Sequence, residues 1–587
     1  MQMPHGTPHG PAPHRRLFAL LKPEAADIGL VVLFSVITGF LYLASPLAVD
    51  ALVNNISFGG QQPVFFQSLI ILSGVLFLFL IALAVVSAVQ YFIVELIQQR
   101  IFVRLAADFS MRLPRLQFGA LERTRRPELV NKFLDVVTIQ KSSAYLMLDG
   151  VNVVLAGGIG LLMLAFYHPF LLAFDLVLIV GLVIVLVPMG RRGVATSIQE
   201  SYAKHAVAGW LEQVVMFPLL FKGRSAADFA RTRTDQLVDV YISARRAHFR
   251  VLIRQILGLL GLEAVASAML LALGGLLVLQ GQLTLGQLVA SELIVSAIVA
   301  SFVRLGKHLE NWYDSLAAID KLGSVVDLPI EAATGRQPAA IPAFEQAGVI
   351  EVEELTFAYP GGRPLFENLS FSVRPGEHVA ITGPIGSGAG TLFDLIYGLR
   401  APAEGMIRVL GGDVRSWDPT EMRSHVALVR EPEFIDGTLA ENIRMGGTAL
   451  DDAGIQRILD RVGLGKALLR MPEGLGVRLR PGGRPLSDSQ RILAALARVM
   501  ASAPKLILID KGLDGLDADE LESVLGLLFA PEQPWTLVVA TRDERILARC
   551  DRVIPLRPKA VGDANDRARS ADSERDGGKE DEHGGTL

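Results

Sequence analysis

Gly383-Pro-Ile-Gly-Ser-Gly-Ala-Gly-Thr391 decides how this chain is read. It matches the phosphate-loop pattern G-x-x-x-x-G-K-[ST] at Gly383 and Gly388 and departs from it at the next two positions. In the intact pattern the glycines let backbone N–H groups face phosphate oxygens, the lysine reaches the β- and γ-phosphates, and the hydroxyl ligates Mg2+. Here Ala389 stands for the lysine and Gly390 for the hydroxyl. The cradle, with Gly386, Ser387 and Thr391, is kept while its charge and its metal ligand are gone. The stretch predicts a site that binds ATP weakly, has little need for Mg2+, and hydrolyses the nucleotide poorly or not at all.

Around this loop, residues 348–558 alternate apolar strand-like runs with helical patterns, the signature of an α/β domain. Val349-Ile-Glu-Val352 and residues 355–358 read as two strands, and Leu506-Ile-Leu-Ile-Asp510 as a buried strand ending in a carboxylate. Residues 329–347 are rich in Ala, Pro and Gly and read as a linker. Residues 559–587 carry many mixed charges and almost no large apolar side chains, so they are expected to be a disordered tail.

The N-terminal half has a different character. At 51% hydrophobic residues and a mean hydropathy of +0.40, the 587-residue chain is too apolar to be wholly soluble. Lysine and arginine are absent from 23–99, 142–190 and 255–303, and each interval is long enough for two spans of about 20 residues. Six transmembrane helices are expected, near 28–48, 69–94, 146–167, 170–189, 256–279 and 285–303. The hairpin tips fall at the run from Asn54 through Gly60 to Pro63, at His168-Pro169, and at Gln280-Gly-Gln282.

Between the hairpins lie long segments dense in basic residues, including Arg100, Arg104 and Arg112 in the first and Arg231, Arg245, Arg250 and Arg254 in the second. The positive-inside rule places both in the cytoplasm, hence both termini inside, in the cell (inner) membrane. The predicted fold class is a membrane α-helical bundle of six transmembrane helices (25–328), after a tail and elbow (1–24), followed by a C-terminal α/β P-loop NTPase-like domain (348–558).

Composition also excludes partners. A net charge of −4 argues against nucleic acid. One cysteine, Cys550, excludes a disulfide framework and a Cys-rich metal site. The first residues are rich in Pro, Gly and His and lack the pattern of a secretory signal; His5, His9 and His14 read as a solvated tail. With only residues 1–24 before the spans, no peptidase domain is expected there.

Six spans with long cytoplasmic segments and then a phosphate-loop domain resemble an ABC exporter half-transporter over residues 15–558. Landmarks follow in the family's order. Tyr359, in Leu-Thr-Phe-Ala-Tyr, sits where the family stacks an aromatic ring on adenine. Arg430 opens Arg-Glu-Pro-Glu-Phe, at the position usually held by Gln. Leu486-Ser487-Asp488-Ser489-Gln490 resembles the signature segment, and Asp510 the Walker B carboxylate. The resemblance implies ATP as ligand and a second ABC half as partner in the bilayer, with a heterodimer favoured over a homodimer. Gln280 to Val289 resembles an outer-loop region of exporters that work with a membrane-fusion protein, which extends the expected partners to one.

The departures from the family pattern are as informative. Lys511 replaces the glutamate that polarises the attacking water, Arg542 replaces the γ-phosphate histidine, and Asp488 and Ser489 replace signature glycines, while Ser487 remains. Positions 389, 430, 511 and 542 with Asp510 sum to about +2, against about −1 for the family pattern, which leaves two readings open: Lys511, Arg542 or Arg430 folds toward the phosphates in place of the lost lysine, or Lys511 merely pairs with Asp510 or another carboxylate. The resemblance thus implies a transport subunit with a pseudo-ATPase domain; a membrane regulator or scaffold using the same domain is the alternative.

In the membrane part, Asp149, Asp175, Glu263 and Glu292 fall in or at the ends of expected spans, where carboxylates are costly. Glu263 and Glu292 lie deepest and are the candidates for a substrate path. Residues 118–133 and 206–213 resemble the family's two docking segments in the cytoplasmic loops.

Overall fold

The computed structural model describes residues 12–57, 62–124, 126–331, 348–447 and 450–556. Gly60, most of the expected linker (332–347) and the tail (559–587) lie outside the described residues. The chain divides into two compact units, Met1–Leu116 with Ala120–Ile330, and Gln117–Gly119 with Glu331–Leu587.

The first unit is built of helices: α1 (Pro13–Leu21), α2 (Ala25–Tyr42), α3 (Ala44–Ser57), α4 (Gln62–Arg112), α5 (Phe118–Arg123), α6 (Arg126–Phe133), α7 (Asp135–Tyr145), α8 (Val151–Tyr167), α9 (Pro169–Leu186), α10 (Gly193–Met216), α11 (Arg224–Leu279) and α12 (Leu285–Val326). Five helical stretches among the described residues are long and apolar enough to cross a membrane: Pro13–Ser57, Phe66–Arg115, Leu129–Tyr167, Pro169–Leu186 and Arg224–Leu279. A shorter apolar stretch, Leu285–Ile298, opens α12. Large apolar side chains such as Phe77, Phe92 and Phe166 point outward, as they do where lipid is the solvent.

The helices break where their chemistry requires it. Pro46 lacks an N–H and its ring crowds the carbonyl of Tyr42, so the expected span 28–48 is two helices, α2 and α3. Pro169 opens α9, where no N–H is needed, and the His168 ring accepts from the Phe170 N–H at 3.2 Å. Thr284 and Gln287 form a reciprocal capping box that starts α12.

Hydropathy did not reveal the helix lengths. α4, α11 and α12 run for 51, 56 and 42 residues, far beyond the roughly 20 that span a bilayer. The basic residues expected in separate cytoplasmic segments, Arg100, Arg104 and Arg112 on α4 and Arg231 to Arg254 on α11, continue the same helices. Residues 206–213, which resemble the family's second docking segment, lie in the interior of the 24-residue α10. The chain reverses after it, at 217–223.

Beyond the expected spans, α12 buries an ion pair. The ammonium of Lys321, only 1% exposed, stands 2.7 Å from Asp135 Oδ2 at the start of α7 and 3.2 Å from His205 Nδ1 on α10. Burial pushes the Lys321 pKa down against the opposing pull of Asp135. Burial, then the Lys321 charge, pushes His205 down as well.

The second unit contains strands β1 (Ile350–Ala358), β2 (Pro364–Val373), β3 (His378–Thr382), β4 (Glu404–Val409), β5 (Gly412–Asp413), β6 (Val426–Val429), β7 (Gly437–Thr438), β8 (Arg478–Leu479), β9 (Leu506–Asp510), β10 (Thr536–Ala540) and β11 (Arg552–Pro555). Its helices are α13 (Ala389–Ile396), α14 (Pro419–His425), α15 (Leu439–Arg444), α16 (Asp452–Arg461), α17 (Gly465–Leu468), α18 (Asp488–Ala501), α19 (Ala518–Leu528) and α20 (Glu544–Leu547). One sheet, β2-β1-β4-β5, is antiparallel. A second, β11-β3-β10-β9-β6, is parallel throughout, and β7 and β8 pair antiparallel as a small third.

The two strands expected at 349–352 and 355–358 are a single bulged one. The register of β1 slips between Val352 and Leu355, Glu354 takes φ +48°, and Gly405 on β4 approaches so closely that a Cβ there would stand 2.4 Å from the Glu354 carbonyl. In the parallel sheet, β3, β10, β9 and β6 are neighbours and end at Thr382, Ala540, Asp510 and Val429. The carboxyl ends of parallel strands are where open α/β sheets hold ligands.

Candidate functional site

The residues just past those strand ends line one cavity of about 910 Å³: Gly383–Thr391 after β3, Arg430 after β6, Asp510 and Lys511 at β9, and Arg542 after β10. Gly386 and Gly388 take φ +85° and +91°, which side chains disfavour. Gly388 is also hemmed in, since a Cβ there would meet Leu365 and Phe366 side chains at 2.8 Å. Gly388 is the N-cap of α13. Ala389 packs its methyl against the apolar core, so position 389 puts no charge into the cavity.

Arg430 is the centre of the site. Its Nε donates to Asp510 Oδ2 at 3.0 Å, Nη1 to Asp394 Oδ1 at 2.7 Å, and Nη2 to the Gly390 carbonyl at 2.6 Å. Asp394, on α13 and 5% exposed, also accepts from Arg400 Nε at 2.9 Å. The Arg400 guanidinium lies 4.9 Å from the ring centroid of Tyr359, whose hydroxyl meets Thr391 Oγ1 at 2.8 Å. A polar chain thus runs from Tyr359 through Arg400, Asp394 and Arg430 to Asp510.

Sequence reasoning did not single out Asp394 or Arg400. The available signal was one carboxylate in the apolar run Thr391-Leu-Phe-Asp-Leu-Ile396, four residues after Gly390 and hence on the same helix face.

The other substituted positions are less engaged. Lys511 is exposed and sits at φ +57°; its carbonyl accepts from the Asp514 N–H at 3.4 Å, while its side chain makes no hydrogen bond or ion pair with the described residues. Arg542 Nε donates to the Gly383 carbonyl at 2.8 Å, at the foot of the glycine loop.

The five positions counted from the sequence are not the cavity's only charged residues. The cavity is lined by three cations, Arg430, Lys511 and Arg542, and by four carboxylates, Glu431, Asp510, Asp514 and Asp543. Burial raises the pKa of Asp514, with Lys511 pulling it down. Asp543 is held low by hydrogen bonds from Arg545. Arg430 is the cation held by two of the site's carboxylates, Asp394 and Asp510, whereas Lys511 and Arg542 are not held in this way.

In the signature segment, Ser487 caps α18, accepting from the Gln490 N–H at 3.2 Å while Gln490 Oε1 accepts from the Ser487 N–H at 3.0 Å. Asp488 is paired with Arg491 one turn on, so its charge is locally offset. Ser489 Oγ stands 3.4 Å from Ser487 Oγ. Leu486 is buried.

The membrane unit has its own cavity, of about 590 Å³, lined by Tyr42, Ser87, Gln90, Asp149 and Asn152 among others. Glu263 and Glu292 are not among its lining residues; both are half-buried, and Glu292 Oε1 accepts from Ser296 at 3.4 Å. Asp175, 3% exposed on α9, has no hydrogen-bond partner on either oxygen among the described residues.

Comparisons with known proteins fit both units. The family model for the ABC transporter transmembrane region matches residues 28–207, and the one for the ABC transporter matches 366–513. The mycobactin import ATP-binding/permease protein IrtB of Mycolicibacterium thermoresistibile is 26% identical over 397 residues, 64% of this chain and 67% of its own length. The mitochondrial iron-sulfur clusters transporter ATM1 of Candida glabrata is 27% identical over 288 residues, 48% of this chain and 40% of its own length. The matches thus span between about two fifths and two thirds of these relatives. A bacterial Atm1-family ABC exporter, solved with ATP bound, has the same fold, with a TM-score of 0.79 at 20% identity over 92% of this chain and 94% of that one. With apolar spanning helices leading into a parallel sheet whose strand ends carry a glycine loop, this chain belongs to the ABC transporters, as a multi-pass half-transporter with an ABC domain of the ATP-binding kind.

Proposed function

We propose that this chain is the non-hydrolysing half of a two-half ABC transporter, binding ATP weakly while a partner half with intact lysine, glutamate and signature glycines performs the chemistry. The observation that carries this reading is the Arg430–Asp510 hydrogen bond at 3.0 Å. It ties up the Walker B carboxylate beside a loop that offers Ala389 and Gly390. Phosphoryl transfer relies on positioning and charge stabilisation, and the groups that would supply them are replaced. The fold, the glycine conformations and Tyr359 are nonetheless kept, which favours binding as the retained role.

A homodimer would pair two sites without lysine or glutamate, so a heterodimer is the favoured assembly. Asp488 and Ser489 in place of the signature glycines make this chain's signature a poor complement to a partner's nucleotide, so the paired complex is expected to hydrolyse slowly, although Ser487 is kept at the start of α18. The proposed layout is a tail and elbow at 1–24, a six-span domain at 25–328, a linker at 329–347, an ABC domain at 348–558 and a tail after it. Both termini lie in the cytoplasm, at the cell (inner) membrane. Glu263 and Glu292 contribute to the path, and a membrane-fusion protein is the further partner. Impermeant labelling of cysteines placed at His168 or Gly281, in a Cys550→Ser background, checks the orientation; labelling from the cytoplasmic side alone overturns it.

The purified chain in lipid nanodiscs is expected to show ATPase activity at background. Each missing group commonly costs roughly 10² or more in rate, so Lys511→Glu alone is expected to restore nothing. Turnover of the unmutated chain at the level of an ordinary transporter ATPase sinks the proposal.

A further inference from the structure

We infer that the Arg430 guanidinium takes the place of the metal, so that this site accepts a nucleoside triphosphate free of Mg2+. The inference rests on the reading of the site as nucleotide-binding. In phosphate-loop NTPases the metal is held by the hydroxyl after the lysine and by the Walker B carboxylate. The corresponding positions here are Gly390 and Asp510.

The residues present do not fit Mg2+, which demands near-octahedral oxygen ligands at about 2.0–2.1 Å. Gly390 offers no side-chain ligand. A Cβ at that position would already stand 2.8 Å from Asp510 Oδ2, so the two ligand positions have closed on each other. The same Oδ2 accepts from Arg430 Nε at 3.0 Å, and Arg430 Nη2 donates to the Gly390 carbonyl at 2.6 Å. A fixed positive charge thus bridges the two positions that would hold the metal, and it both repels a second cation and occupies the carboxylate.

The same geometry leaves the guanidinium able to act. It has five N–H donors, and three are engaged, by Asp510, Asp394 and the Gly390 carbonyl. The remaining two belong to a side chain that lines the cavity beside the glycine loop, where a guanidinium suits phosphate oxygens. Asp394, held from its other side by Arg400, fixes the orientation. Lys511 lacks such a tether, and Arg542 is committed through Nε to the Gly383 carbonyl. Arg430 is therefore the cation whose place is built.

Calorimetric titration of the full chain in lipid nanodiscs with ATP, in EDTA or in excess Mg2+, tests this on wild type, on Arg430→Gln, and on Arg430→Gln combined with Gly390→Ser. Wild type is expected to bind equally, within about twofold, in both conditions. Arg430→Gln should lose roughly tenfold or more in EDTA, the scale of hydrogen bonds to charged groups. The double variant should bind more tightly with Mg2+ than without. Paramagnetic resonance of Mn2+ with ATP should show a protein-bound metal signal only in the double variant.

Tenfold tighter wild-type binding with Mg2+, a bound Mn2+ signal on wild type, or an Arg430→Gln variant equal to wild type in EDTA overturns the inference. Binding by Arg430→Gln but not by wild type does too, since Arg430 would then be a plug. Absence of ATP binding in every form overturns this inference and the nucleotide reading together. ATP turnover by wild type sinks the non-hydrolysing assignment, while metal-insensitive binding would leave the present inference standing.

Discussion

Lys321 in the helical unit and Arg430 in the nucleotide unit each bind carboxylates, and they differ in what surrounds them. Lys321 is 1% exposed, faces Asp135 and His205, and is closed in by α7, α10 and α12. Arg430 keeps 29% of its side chain exposed and borders a cavity. A buried ammonium without its carboxylate is an uncompensated charge, so the first arrangement fixes how helices meet. A guanidinium with donors left over at the edge of a cavity can exchange partners with a ligand, so the second is suited to recognition. The presence of an ion pair therefore says little about role; burial and unused hydrogen-bonding capacity say more.

Three measurements sharpen or break this contrast. The largest effect is expected from Asp135→Ala, which strands Lys321; a loss of about 3–5 kcal/mol is the usual scale, read as a large fall in Tm of the chain in nanodiscs. Combining Asp135→Leu with Lys321→Met should recover most of it, because a well-packed apolar replacement removes the desolvation penalty too. A double variant no better than Asp135→Ala would break the account of the buried pair.

The next effect is on pH dependence. His205 has a folded pKa below its ordinary 6.5, so below about pH 6.5 the unfolded chain takes up a proton that the folded chain resists. Stability should fall on acidification, by at most about 1.4 kcal/mol per pH unit from this group. Tm measured from pH 7.5 down to 5 should be less steep in His205→Gln. Equal slopes in both proteins would remove His205 from the explanation.

The smallest effect is expected for the stability of Arg430→Gln, within about 1 kcal/mol, because Asp394 keeps Arg400 and Asp510 borders an open cavity. A fall in Tm as large as that of Asp135→Ala would erase the distinction between the two cations.

The sequence made some of this legible and hid the rest for physical reasons. Intervals without Lys or Arg located the apolar helices because a bilayer excludes charge over a fixed thickness. Pro169 and Gly281 marked reversals because local backbone chemistry sets them. The order of Tyr359, Gly383, Arg430, Ser487 and Asp510 indicated a nucleotide fold before the strand ends that gather three of them, Gly383, Arg430 and Asp510, were known.

Helix length was not legible, since charged residues can continue a helix as well as end one, and nothing in 206–213 distinguishes a short helix from the middle of α10. The role of Arg430 was hidden for another reason. Its meaning comes from Asp394 and the Gly390 carbonyl, brought in from α13 across a sequence gap of 36 and 40 residues. Substitution by substitution, Lys511 looked equally able to serve as the replacement cation. Only the three-dimensional arrangement separates a tethered group from a free one.

The 56-residue α11 has mechanical consequences of its own. No proline interrupts it, so it lacks the commonest cause of a sharp kink. At 1.5 Å per residue it is a rod of about 84 Å, and a rigid tilt of about 10° displaces one end relative to the other by about 15 Å by the same geometry. α12, also free of proline, is a second such beam lying against it. The buried residues of α11 run from His248 to Leu277, so a small rotation of that packed part would carry the preceding stretch 224–247, none of whose residues is buried, through a large excursion.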